Sequence, residues 1–222
     1  MTGRLLGVLG GMGLQATEHF CRMVAGLQDV EAEQEYMDML VYFKQSIPDR
    51  SAYILGKSPV SPIDALMQAA QTLENAGATS IAMPCVTAHY FYDELAAAVS
   101  VPFLNVLQET ASHAASKGYR KIGLLATTGT LAGGFFTKVF TDFGINVVTP
   151  SPEEQAALMN LIYEVKQGKD LTASALDNHS ASLRSKGAET VVLGCSELSV
   201  FIKEGEGYTD VMQVLAKKAL VT

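Results

Sequence analysis

Two of the three cysteines stand in matching surroundings in opposite halves of the chain. Cys85 follows one apolar run, Ser80-Ile-Ala-Met-Pro-Cys-Val-Thr-Ala-His89, and Cys195 follows another, Glu189-Thr-Val-Val-Leu-Gly-Cys-Ser-Glu-Leu198. Each run reads as a buried strand that stops at Pro or Gly and presents a thiol at its C-terminal tip. Two residues beyond each thiol stands a side chain able to hydrogen-bond, Thr87 and Glu197. A thiolate can accept a proton and a thiol can return one. A pair delivered by two similar segments therefore suits acid–base chemistry on both faces of one small substrate. Cys21 lies inside a helical pattern and reads as a small buried hydrophobe.

Other uses of the thiols are weaker. Zinc bound by Cys85, His89, Cys195 and a carboxylate would lack the close paired spacing of most zinc sites. A nucleophilic Cys85 with His89 as its base leaves the second thiol without a task. His19, His113 and His179 fall in helical patterns without partner motifs, and are assigned to packing or surface.

Further candidates lie near other strand ends. Gly10-Gly-Met-Gly-Leu-Gln-Ala16 contains Gly-x-Gly-x-x-Ala after a strand and at the start of a helix. The acidic residue that a dinucleotide site places near the end of the second strand is missing, because Lys44 and Gln45 follow Phe43. Gly11 and Met12 are read instead as a tight turn whose backbone N–H groups approach an anion. Thr127-Thr-Gly-Thr130 is a similar device with hydroxyls, or an N-cap and turn. Arg50 ends Ile47-Pro-Asp-Arg in a long polar loop and could grip a carboxylate. Lys166, read by itself, complements a helix C-terminus.

These residues require a scaffold of alternating units. Strands are expected at Leu5–Leu9, Asp38–Phe43, Ser80–Pro84, Pro102–Asn105, Lys121–Ala126, Ile145–Thr149 and Thr190–Leu193. Helices are expected near 15–29, 62–76, 90–99, 106–117, 131–143, 153–167, 171–186 and 209–220. Such alternation implies an α/β fold with parallel sheets flanked by helices. The pattern restarts near 106–121. The expected division is a first lobe over 1–105 and a second over 106–205, with a C-terminal helix in 206–222 returning to the first. Ligands of parallel sheets bind beyond the carboxyl ends of the strands, so the site is expected in the cleft between the lobes. The stretches 44–60 and 203–208 read as loops.

Bulk properties narrow the class. The chain has 222 residues, 48% hydrophobic and 18% charged, with a net charge of −7. This is a globular composition without the basic footprint of a nucleic-acid binder. Three cysteines without a CxxC fit a reducing compartment. No signal peptide or membrane-length apolar run stands out, so a soluble cytoplasmic protein is expected.

In order along the chain, Gly10-Gly-Met-Gly with Ala16-Thr17, Ile47-Pro-Asp-Arg50, Met83-Pro-Cys-x-Thr-Ala-His89, Leu125-Ala-Thr-x-Gly-Thr130, Ile162-Tyr163 with Lys166-x-Gly168, and Leu193-Gly-Cys-x-Glu-Leu198 together resemble the aspartate/glutamate racemase superfamily, most closely its aspartate racemases. The resemblance implies two pseudo-symmetric α/β lobes with the active site between them, no cofactor and, as is frequent in the family, a homodimer; the ligand spacing by itself argues against a metal. It implies racemisation of aspartate or glutamate, with Cys85 and Cys195 exchanging the Cα proton. Arg50 and Lys166 would hold the substrate's side-chain carboxylate. Thr127, Thr128 and Thr130 are candidates for its α-carboxylate, and Gly11, Met12, Val86, Thr87, Ser196 and Glu197 complete the binding set. The sequence departs from the family at Val86, usually Asn, at Ser196, usually Thr, at Leu14, usually Pro, and at Gly133-Gly-Phe-Phe136, where a Ser and a Tyr are usual. The same scaffold could serve an isomerase, a racemase of another amino acid, a lyase or dehydratase of a small diacid, or a dicarboxylate binder without turnover.

Overall fold

The structure, a computed structural model, describes residues 3–202 and 207–222. The first half runs β1 (Leu5–Gly10), α1 (Leu14–Gly26), β2 (Asp38–Phe43), α2 (Arg50–Ile54), α3 (Ile63–Asn75), β3 (Ser80–Ala82), a 3₁₀ turn (Thr87–Phe91), α4 (Tyr92–Ala97) and α5 (Val106–Ser116). The second runs β4 (Lys121–Leu125), α6 (Thr128–Gly133), α7 (Phe135–Asp142), β5 (Asn146–Val148), α8 (Pro152–Lys166), α9 (Asp177–Ser185), β6 (Thr190–Leu193), α10 (Ser196–Ser199), β7 (Tyr208–Asp210) and α11 (Val211–Ala219).

Two parallel sheets result, ordered β2-β1-β3 and β5-β4-β6-β7. The winding is the same in both. The first strand lies inside, the second pairs on one side of it and the third on the other. Even the outer positions correspond, because Phe103 makes a single parallel bridge to Ile81 beside β3, where β7 lies beside β6.

Side-chain alternation along these strands builds the core. Leu6 and Val8 of β1, Ile122 and Leu124 of β4, and Val192 of β6 share one cluster with α1, α5, α7 and α11. Leu9 points into a second cluster with α3. Leu125, Val191 and Leu193 point into a third with α8 and α9. One apolar body therefore joins the two sheets, and each sheet has its own outer layer.

Local signals account for most element ends. Ser151 and Glu154 form a capping box with Pro152 at the start of α8. Asn105 caps α5 by accepting from Leu107 and Gln108 N–H. The expected strand at 102–105 shrinks to one bridge, because Pro102 has no N–H to give; its carbonyl accepts from Ile81, and Leu104 N–H donates to Ile81. The expected helix over 131–143 is two helices, broken at Gly134 with φ +67°. The loop over 44–60 contains α2, capped by Asp49. Before the last helix, Tyr208–Asp210 adds a strand to the second sheet, and α11 then packs against α1 and α5. The expected boundary at 205/206 lies outside the described residues, as does most of the loop expected over 203–208.

Leu124 is fully buried in the shared cluster. Leu124→Ala is expected to cost about 2–5 kcal/mol in chemical denaturation; a loss below about 1 kcal/mol would contradict its place in a tightly packed joint.

Candidate active site

The tips of β1, β3, β4 and β6 converge, and each carries a turn rather than a continued strand. Beyond β3, Cys85 N–H donates to Met83 O at 2.8 Å. Beyond β6, Gly194 N–H donates to Leu125 O at 2.7 Å. A Cβ at Gly194 would lie 2.5 Å from Leu124 Cδ1, so a larger residue there would have to displace this leucine from the core beside β4. Cys195 is then the N-cap of α10.

His89 fixes the Cys85 turn from behind. Its Nδ1–H donates to Cys85 O at 2.9 Å, and its Nε2 accepts Val106 N–H at 3.3 Å. Since a carbonyl only accepts and an amide only donates, these partners specify the tautomer. Both nitrogens are thus engaged by backbone, which answers for His89 as base or metal ligand. Burial lowers its pKa from the ordinary 6.5 to about 4.

Cys85, Val86 and Thr87 face Cys195, Ser196 and Glu197 across one chamber, completed by Met12, Arg50, Thr127 and Lys166. Asp49 and Ser51 also line it. Neither was singled out in the sequence, although the Pro-Asp-Arg-Ser run reads as a helix start. The chamber is narrow. The centre of a water molecule has about 10 Å³ to occupy, room for one water.

Charge is distributed unequally around the two thiols. Cys195 Sγ–H donates to Glu197 Oε2 at 2.9 Å, and Ser196 Oγ–H reaches the same oxygen at 3.3 Å. Burial, and after it the Glu197 carboxylate, push the Cys195 pKa well above the ordinary thiol value. Cys195 therefore rests protonated. Lys166 Nζ stands 3.9 Å from Glu197 Oε1. Burial alone depresses Lys166, but Glu197 and both cysteines favour its charge and its pKa is raised on balance. Lys166 is a cation that senses both thiols.

Arg50 ties α2, the lid that closes one side of the chamber, to the β1–α1 turn. Its guanidinium donates to Ile47 O, Pro48 O and Met12 O at 3.4, 3.1 and 3.3 Å. Its Nε is buried without a partner. Next to it, Ser51 Oγ–H donates to Thr127 Oγ1 at 3.4 Å. Thr127 belongs to a ring of three hydroxyls with Thr87 and Thr130, joined at 2.9, 3.0 and 3.0 Å. This ring links the Cys85 turn to the first turn of α6.

Three sequence candidates stand back from the chamber wall. Gly11, with φ +89°, donates its N–H to Thr17 Oγ1 at 3.0 Å, so that group is not free for an anion. Thr128 N–H faces Met159 Sδ, and its hydroxyl accepts from Gln155. Thr130 lies behind Thr127 in the hydroxyl ring.

Comparison with known proteins identifies the class. The sequence pattern of the Asp/Glu/Hydantoin racemase family matches residues 9–221, and the chain belongs to that family. It is an isomerase of the racemase type. It is 28% identical over 209 residues to the broad specificity amino-acid racemase RacX of Bacillus subtilis (strain 168), covering 89% of this chain and 87% of that protein. Its fold matches Picrophilus torridus aspartate racemase with a TM-score of 0.86 at 28% identity, over 99% of this chain and 94% of that one. An aspartate racemase homologue from Pyrococcus horikoshii OT3 matches with a TM-score of 0.77 at 26% identity, over 98% of both chains. Among the described residues, no helix is long and apolar enough to cross a membrane.

Two outcomes follow from this geometry. A neutral buried His89 stabilises the fold fully above about pH 6.5, and this contribution is lost as pH falls toward 4, because the unfolded chain then binds the extra proton. The term is on the order of 3 kcal/mol. The stability difference between wild type and His89→Phe should therefore shrink between pH 7 and 4; a constant difference would refute the assignment. Second, a Cβ at Gly129 would lie 2.7 Å from Ser51 Cα. Gly129→Ala should lift α2 and speed limited proteolysis within 44–60, and unchanged protection would show that Gly129 is not the seat of the lid.

Proposed function

We propose that this protein interconverts the L and D enantiomers of an acidic amino acid, aspartate or glutamate, by proton transfer at Cα between Cys85 and Cys195, without a cofactor. One observation carries the reading. Two thiols from equivalent strand tips of two similarly wound sheets line the same chamber, and the Lys166 ammonium lines it with them. Aspartate racemases among the structural relatives support the substrate class.

The resting asymmetry suggests the order of events. Cys195 holds its proton and is the acid. Cys85, as thiolate, removes the Cα proton on its face, and Cys195 delivers its own to the opposite face. The products are the inverted amino acid, a Cys85 thiol and a Cys195 thiolate beside Lys166. Reverse turnover begins from that state. As Cα loses its proton, negative charge grows on the α-carboxylate, so donors already in place contribute most to catalysis. Thr87 and Thr127 hydroxyls are placed for this, held by the ring with Thr130. Lys166 and the free Arg50 Nε supply positive charge for carboxylates. Gly11 and Thr128 act, in this reading, by fixing the turns that carry Met12 and Thr127.

A second reading concerns side-chain range. Val86 gives the chamber an apolar wall beside Cys85 and packs into the shared core. Together with the resemblance to a broad specificity racemase, this favours acceptance of less polar amino acids as well.

Deuterium entry at Cα, followed by NMR with chiral separation, tests both readings across a panel of amino acids under reducing conditions. Racemisation of aspartate or glutamate is expected. Cys85→Ala and Cys195→Ala should each lower it at least about a hundredfold, while exchange of one enantiomer without inversion can survive on the remaining thiol. Full racemisation by Cys85→Ala would overturn the two-thiol scheme.

A further inference from the structure

Glu197 is a carboxylate with only one of its oxygens hydrogen-bonded. Its side chain is 4% exposed. Oε2 accepts the Cys195 thiol and the Ser196 hydroxyl. Oε1 is buried and has no hydrogen-bond partner, and Lys166 at 3.9 Å is too far to be one. A buried carboxylate oxygen without a donor costs free energy, so a donor that arrives with the ligand is favoured.

The space for that donor exists. Glu197 lines both the chamber and an adjoining cavity of about 250 Å³ beside the start of α1, and Lys166 lines both as well. Oε1 lies 3.1 Å from where a Gly13 side chain would begin. Glycine at 13 keeps that side of the carboxylate clear.

Geometry identifies the donor. In proton transfer the substrate Cα must come within roughly 3–3.5 Å of Cys195 Sγ. Glu197 Oε2 is itself 2.9 Å from that sulfur, so the carboxylate is within reach of a nitrogen bonded to Cα. No other wall group suits a cation. Asp49, the second acid, already caps α2 through Ala52 N–H. Arg50 and Lys166 repel an ammonium, and the Thr87 and Thr127 hydroxyls carry no charge to pair with it and serve the α-carboxylate in the racemase reading.

We propose that Glu197 Oε1 holds the substrate's α-ammonium group, so that the side chain which presents Cys195 also selects amino acids over hydroxy acids. This rests on the racemase reading and adds to it the group that recognises the amine.

Calorimetric binding of L-aspartate and L-malate separates the two ligands by ammonium against hydroxyl alone. Wild type is expected to bind aspartate more tightly. Glu197→Gln should weaken aspartate roughly ten- to a hundredfold. Malate should hold or tighten, since a negative charge beside Lys166 is gone; its retention also reports an intact site. Glu197→Asp, which keeps the charge, should keep the order of the two ligands and serves if Glu197→Gln does not fold. Equal losses for both ligands in Glu197→Gln, or a wild type that binds malate as well as aspartate, would overturn the proposal. L-alanine against L-lactate repeats the comparison if the side chain preferred is not acidic, and a wild type that binds no α-amino acid refutes it outright. Failure of the racemase reading looks different: no deuterium enters Cα of any amino acid, whatever the binding order.

Discussion

The shared apolar cluster between the two sheets is the constraint on which the site depends. Leu6 and Val8 face it from one sheet, and Ile122, Leu124 and Val192 from the other. Because strand side chains alternate, this burial fixes the face each strand turns inward, and a slip by one residue would reverse it. The same burial fixes where each strand ends relative to its counterpart. In two parallel sheets of the same winding, joined in this way, the carboxyl ends of β3 and β6 border the same chamber. The two thiols line one chamber because β3 and β6 end where they do in this register.

Symmetry of the backbone is not symmetry of the chemistry. The turn after β3 leans on a neutral imidazole, and the turn after β6 carries a carboxylate. His89 binds the Cys85 carbonyl and adds no charge, while Glu197 accepts the Cys195 proton and brings Lys166 near. A carboxylate placed this close raises the thiol's affinity for its proton, and the lysine moderates that effect. A reversible transfer needs such moderation: an acid held too firmly would not give up its proton, and one held too weakly would not keep it. The Lys166–Glu197 pair, with Glu197 buried and Lys166 partly open to solvent, contributes more by setting this balance on the proposed scheme than by stabilising the fold, given what desolvation of the carboxylate costs.

What the sequence makes legible follows from the range of the interactions. The strand tips at Cys85 and Cys195 can be read because each is a local run of apolar residues ended by Pro84 or Gly194. The capping box at Ser151 and Glu154 is local too. β7 is three residues long, with too few positions for a period to register. The bridge at Phe103 depends on where Ile81 lies. Gly11 reads as an exposed amide donor until the hydroxyl of Thr17, one helical turn further on, occupies it. The hydroxyl ring joins Thr87 to partners some forty positions away, and the inward set of Asp49 and Ser51 depends on α2 folding over the tips. None of these has a signature in neighbouring residues.

Closure and chemistry are joined by that last contact. Asp49 starts α2, Arg50 anchors it on three carbonyls, and Ser51 reaches the hydroxyl ring, so three consecutive side chains seat the lid. The ring in turn reaches Thr87, two residues from Cys85. With room for one water, the chamber must widen to take an amino acid on the proposed scheme, and the seat of the lid then forms around the bound substrate. When it forms, water is excluded, and the charges of Glu197, Lys166 and Arg50 act through a medium of low polarity where they are strongest. A carbanion lives only where water cannot supply its proton at random. On the proposed scheme the lid therefore decides more than access: it leaves the two thiols as the proton donors within reach of either face.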